Sequence, residues 1–240
     1  MGQIRFFLLL ILFFGVSEAR IKFIHIPKTG GSTIHEVLSR YFYEKEIYPY
    51  RRTNAAISVN AKGKAESMPS INHELVSGHF PYWFMEEKDN DRKNSFTFTV
   101  LRDPVERVFS HYRFRKRANP HVDVTVEQVA KNWTCRMLCS DPKLTGSALL
   151  ENAIENLKKL DFVIFMDNFV DDTKTMLQMI GIDTTYVKIP KLNATKKERY
   201  DQKTIEKVKE DHALDVALYR YVNEHLSWPF RKYRQKYKKR

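Results

Sequence analysis

Short apolar runs alternate along this chain with longer stretches of helical spacing. Lys22-Phe23-Ile24-His25-Ile26 has the pattern of a buried strand and leads into Pro27-Lys28-Thr29-Gly30-Gly31. Beyond the glycines, Ile34, Val37, Leu38 and Tyr41 recur at the three-to-four spacing of a helix, which predicts a helix from near Ser32 with Ser32 or Thr33 at its N-cap. Tyr48 to Ser70 is polar and without period, a surface excursion. Glu74 to Phe80 then reads as a short strand ending at His79, and Phe96 to Leu101 as a strand of β-branched and aromatic residues. Asp103, Pro104 and Glu106 stand where an N-cap, first helical residue and third helical residue belong, and Val105, Val108, Phe109 and Tyr112 share one face of the helix they open. Ala148 to Leu160 reads as a helix, Asp161 to Met166 as a buried strand, Phe169 to Ile180 as a helix stopped by Gly181, and Ile205 to Leu226 as one long last helix.

Strands alternating with helices predict an α/β fold: a three-layer, P-loop-like domain whose mainly parallel central sheet is flanked by helices. With 240 residues, 42% of them hydrophobic, and no internal repeat, the chain has material for one core, here assigned to residues 20–230. In parallel sheets ligands gather at the carboxyl ends of strands, and Lys28, His79 and Arg102 all fall at such ends.

The chemistry of those ends is that of anion binding. Two glycines let backbone N–H groups approach an anion, the helix that follows adds the positive end of its dipole, and Lys28 adds a full charge. Lys28 precedes both glycines, whereas the ATPase-type loop places its lysine after the last one, so an ordinary kinase or GTPase is disfavoured. Arg102 offers a planar donor fork, and Ser110 lies two turns along the next helix on the same side, forming a second anion site. A plain strand-to-helix turn and an arginine capping nearby carbonyls are the bland alternatives.

Charge and termini add context. Seven basic residues and no acid occupy the tail 231–240, out of a net charge of +12, so the folded part is only moderately basic. Nucleic acid, acidic membrane and acidic polysaccharide are all attracted by such a field. Residues 1–19, with Arg5, the apolar run Phe6 to Val16 and Ser17-Glu18-Ala19, have the form of a secretory signal or short signal anchor. The sequons at Asn132 and Asn193 fit that compartment as candidate glycosylation sites, and Cys135 and Cys139 could pair there, closing a very small loop.

Taken together and in order, His25 to Thr33 and Leu101 to Tyr112 resemble the two cofactor elements of sulfotransferases that use 3′-phosphoadenosine-5′-phosphosulfate (PAPS). The likeness is to the carbohydrate branch, including the heparan sulfate 2-O- and 6-O-sulfotransferases. It implies that Thr29, Gly30, Gly31, Ser32 and Thr33 cradle the 5′ group, that Lys28 follows the leaving oxygen, and that Arg102 with Ser110 binds the 3′-phosphate. His79, within Ser77-Gly78-His79-Phe80, takes the place of the general base. Arg136 becomes a candidate substrate or cofactor contact, and Thr195 and Lys196 fall in a segment resembling the cofactor-covering loop. Transfer of this kind needs in-line positioning and charge stabilisation, with no metal. The implied partner is a polyanionic glycan rather than nucleic acid, and the implied location is the Golgi lumen or membrane, with secretion if the signal is cleaved. Ser77 departs from the 2-O branch, which carries a further histidine there, and the segment after His79 departs from the 6-O branch, so acceptor and position stay open. The rivals are a noncatalytic binder of acidic glycans and, further off, a nucleotide-dependent kinase.

Overall fold

In the computed structural model residues 20–48, 73–88, 95–190, 192 and 198–226 are described. Strands β1 (Arg20–Ile24), β2 (Ile47–Tyr48), β3 (Leu75–Gly78), β4 (Ser95–Leu101) and β5 (Phe162–Phe165) form one sheet in the order β2-β3-β1-β4-β5. Every ladder among these strands is parallel. The expected α/β architecture is therefore present, and the described sheet is wholly rather than mainly parallel.

The helices are α1 (Gly31–Leu38), α2 (Tyr82–Lys88), α3 (Pro104–Ala118), α4 (Trp133–Leu138), α5 (Gly146–Lys158), α6 (Phe169–Met179), α7 (Gln202–Asp211) and α8 (Ala213–Tyr221). The strands read as continuous apolar runs because both sheet faces are covered. Phe162 and Ile164 join a core with Phe23, Phe98, α1 and α6, while Val163 between them points into a core built with α2, α4, α5 and α8. Phe23 and Phe98, paired in register across β1 and β4, stack with centroids 4.8 Å apart, a contact worth about 0.5–1.5 kcal/mol beyond its burial.

Four expectations change. Helix α1 starts at Gly31 with Gly30 as N-cap, because Gly30 turns the chain at φ 86° and its carbonyl already accepts from Thr33 N at 2.9 Å. Ser32 and Thr33 thus lie inside the first turn, and Tyr41 lies beyond the helix, 39% exposed. The short elements β2, α2 and α4 had no period long enough to read. The last helix is broken at His212, whose φ and ψ of −116° and 31° separate α7 from α8, and a π-helical turn, Val222–Leu226, follows α8. Residues 1–19, most of the polar excursion, Asn193, Thr195, Lys196 and the tail lie outside the described residues.

The break at His212 serves an exchange of caps. Asn132, itself at φ 51°, accepts through Oδ1 from Leu214 N (3.0 Å) and Asp215 N (3.3 Å) at the start of α8. Asp215 in return accepts from Thr134 N (3.1 Å) and Cys135 N (2.9 Å) at the start of α4. Two helix N-termini so satisfy each other's orphan donors. Arg107 of α3 completes the knot, with Nη2 3.4 Å from Asp215 Oδ2 and both side chains fully buried. A continuous helix through residue 212 would leave no helix start at Leu214 for Asn132 to cap.

Candidate functional site

Strands β1, β3 and β4 are neighbours, so their carboxyl ends place the Lys28 loop, His79 and Arg102 side by side. Lys28 holds φ 73°, a conformation rare for a residue with a side chain, and Gly30 follows at 86°. The strained turn is held from both sides. Thr29 Oγ1 donates to Ile26 O at 2.8 Å, and Arg102 Nη1 donates to Lys28 O at 3.2 Å. Neither glycine tolerates a Cβ: at Gly30 it would meet Phe169 Cε2 at 2.9 Å, and at Gly31 it would overlap the His25 ring.

The cradle is consequently made of backbone more than of hydroxyls. Thr29 is buried and its hydroxyl is spent on Ile26, and Thr33 is buried as well. Helix α1 has no side-chain cap and no acidic residue in its first turn, so its leading N–H groups are presented toward the loop. Ser32 lies half-buried in that first turn.

Cations crowd this opening. Burial, and then the charges of Arg117, Arg102 and Arg113, push the Lys28 amine down to about 8. Its Nζ lies 4.0 Å from the centroid of the Phe114 ring on α3. Arg102 uses its second amine on Glu106 Oε2 at 3.1 Å, so in this state its fork joins the loop carbonyl to α3. Ser110 lies half-buried on α3, and Arg113 and Arg117 stand one and two turns beyond it on neighbouring stripes of the helix. Arg113, Phe114 and Arg117 escaped the sequence reading, although their spacing from Ser110 was there to be read. Arg113 is tied through Nη1 to Tyr200 OH at 3.3 Å, and Tyr200 stacks on Phe109 with centroids 3.7 Å apart and planes within 2°.

His79 directly follows the last residue of β3. Its Nδ1 lies 2.8 Å from His25 O. Burial, and then the charge of Lys28, hold its pKa below the ordinary histidine value despite that bond, so the ring is neutral near pH 7. A carbonyl can only accept; Nδ1 therefore carries the single proton and Nε2 keeps its lone pair. Ser77, two residues earlier, is buried and bonded to His35 Nδ1 of α1 at 3.0 Å. His111 on α3 is held near 4 by burial and by Arg107 and Lys28, and among the described residues its buried Nδ1 has no hydrogen-bond partner. Arg107 likewise leaves Nε and Nη1 buried without partners among the described residues. A cation-rich, uncapped, donor-rich opening of this kind fits a ligand with more than one phosphate-type group.

The remaining candidates fall elsewhere. Arg136 is half-buried on the last turn of α4, and among the described residues no hydrogen bond joins its guanidinium to the loop. Asn132 has its side-chain oxygen committed to α8. Cys135 and Cys139 are buried free thiols, both raised by desolvation, Cys139 to about 11.

Comparison with curated proteins found no match. Among solved structures, one similar chain is mouse sulfotransferase SULT7A1 complexed with PAP, at 16% identity and a TM-score of 0.37, covering 80% of this chain and 63% of that one. This chain thus spans under two thirds of that protein's length. A family model described as "Sulfotransferase family" matches residues 13–225, nearly the whole sequence. With that match over both anion-binding elements and the histidine between them, the chain belongs to the sulfotransferase family.

Proposed function

We propose that this protein moves the sulfuryl group of PAPS to a hydroxyl of a carbohydrate, a glycosaminoglycan such as heparan sulfate, with His79 as general base. One observation carries the reading. An uncapped helix start and a cluster of four cations, Lys28, Arg102, Arg113 and Arg117, open beside a neutral histidine whose Nε2 lone pair is unspent.

In this reading the N–H groups of Gly31 and Ser32 hold the 5′ side of the donor, Thr33 N being spent on Gly30 O, with Arg102 and Ser110 at the 3′-phosphate. PAPS supplies the activated sulfuryl group, bonded to a phosphate that leaves as an anion. Lys28 places positive charge where that anion develops, and this kind of stabilisation is the largest contribution in comparable transfers. Nε2 of His79 takes the proton from the acceptor hydroxyl, a step worth about 10²–10⁴ in rate. Binding of a donor anion also returns the Lys28 amine toward its ordinary basicity, because it offsets the three arginines.

The carbohydrate acceptor is supported by the sequence resemblance and by the basic last turn of α3, Arg115, Lys116 and Arg117. Arg136 and the segment holding Thr195 and Lys196 are proposed contacts to donor or acceptor. Golgi residence rests on the apolar N-terminal run and the sequons.

The test is incubation of the full chain with radiolabelled PAPS and desulfated heparin, chondroitin and dermatan. Label transfer to one of them is expected. Glycan binding without transfer would favour the noncatalytic binder. His79→Ala is expected to keep PAP affinity within about twofold while turnover falls about 10²-fold or more, and undiminished turnover would remove His79 from the role.

A further inference from the structure

The His79 ring packs against another histidine. The rings of His25 and His79 have centroids 4.1 Å apart at 36°, and His25 also stacks on Phe23 at 5.2 Å and 15°. The His25 ring fits only because Gly31 has no Cβ. Its backbone is fixed too, since His25 N donates to Gly78 O at 3.2 Å while His25 O accepts from His79 Nδ1.

We propose that His25 is a positioning residue for the base: its ring, packed against Phe23, His79 and Gly31, fixes the plane of the His79 imidazole and so preserves the Nδ1–H tautomer. The inference rests on the sulfotransferase reading for the word base, and on geometry for the rest. Rotating the His79 ring by a half-turn would exchange Nδ1 for a carbon and break the bond to His25 O. A ring packed this close, even at a tilt, opposes that rotation. No carboxylate does the orienting. The titratable groups facing His79 are His25 beside β1, Lys28 in the loop and His111 on α3, with His35 of α1 behind His25. All are neutral or cationic. His25 itself is kept uncharged by burial and then by the nearby His79, His35 and Lys28, so it adds no like charge to the base it supports.

The experiment reads His79 directly, by nitrogen NMR of the labelled imidazole in the full-length chain from pH 5 to 8, alongside PAP affinity and turnover. In the wild type His79 should be the Nδ1–H tautomer. In His25→Ala that preference should be lost, the titration should move up toward the ordinary histidine range, and turnover should fall about tenfold or more with PAP affinity retained. His25→Phe keeps a flat ring in the slot and should retain the tautomer and most of the turnover. An Nε2–H tautomer in the wild type would overturn the proposal, as would unchanged His79 signals in His25→Ala. Should His25→Ala not fold, the wild-type spectrum and His25→Phe decide alone, loss of the tautomer in His25→Phe counting against the proposal. The expected tautomers without any PAP binding would sustain the positioning role and count against the sulfotransferase reading instead.

Discussion

Two neighbouring strands, β1 and β4, each feed a helix from their carboxyl ends, yet the junctions are built oppositely. Helix α3 closes its own N-terminus: Asp103 Oδ1 accepts from Glu106 N at 2.9 Å, Pro104 removes a donor, and Glu106 puts a carboxylate in the first turn. Helix α1 does none of this. Gly30 caps it with backbone alone, and its first turn holds no acid. The same positive helix end is neutralised from within at α3 and left for an outside anion at α1. Arg102 connects the two, giving one amine to the Lys28 carbonyl and the other to Glu106. In the proposed function a strand-to-helix turn is therefore suited to bind not by virtue of its position, but by virtue of what the chain withholds from it.

The largest expected effect comes from removing the cation on the open side. Lys28→Met should lower turnover by about 10²-fold or more. Its pH signature is specific, because an amine held near 8 is charged below that pH and loses its proton as pH rises through it. In the wild type kcat/KM should decline above about pH 8, with the alkaline limb of kcat lying higher once donor is bound, and Lys28→Met should abolish the kcat/KM limb. A limb that persists in the variant would assign it to another group.

The next effect comes from making α1 resemble α3. Ser32→Glu places an acid in the first turn, where it should weaken PAP binding by about tenfold, or 1.4 kcal/mol, in calorimetry. The same change should raise thermal stability slightly, by about 0.3–1 kcal/mol, through the helix dipole. Opposite signs for binding and stability are the outcome that sharpens the comparison, and equal losses in both would break it.

The smallest effect comes from opening α3. Asp103→Ala should cost about 1 kcal/mol of stability in denaturant unfolding while PAP affinity changes little. A large loss of affinity would mean that the closed junction also touches the donor.

Much of this difference was legible beforehand. Asp103, Pro104 and Glu106 announce a capped start by residue type alone, whereas Ser32 and Thr33 suggest a side-chain cap on the first helix that Gly30 displaces by turning the chain one residue earlier. Arg102 and Ser110 could be placed on one side of a helix because helical spacing is local. What could not be read depends on distant pairing. Asn132 lies between elements and Asp215 within a helical pattern, and only the tertiary fold shows them capping each other's helices. The last helix was overextended for the same reason, since the residues from Ile205 onward keep a helical pattern through His212 and nothing local reports that Asn132 will claim the N–H groups beyond it. Likewise the packing of His25 is expected from its strand, but its contact with the His79 ring requires β1 and β3 to be adjacent.

That adjacency has a kinetic side. Ile21 of the central strand pairs with Leu75 on one flank and Phe96 on the other, so no ladder that shapes the opening joins residues close in sequence. Local segments can form α1 or α3 early, but the three strand ends meet only when remote parts of the chain have closed, which makes assembly slow relative to helical domains of this size. A nascent chain would expose the glycine turn and its lysine well before anything stands opposite them, and competence to bind should appear in one late step rather than accumulate as the chain folds.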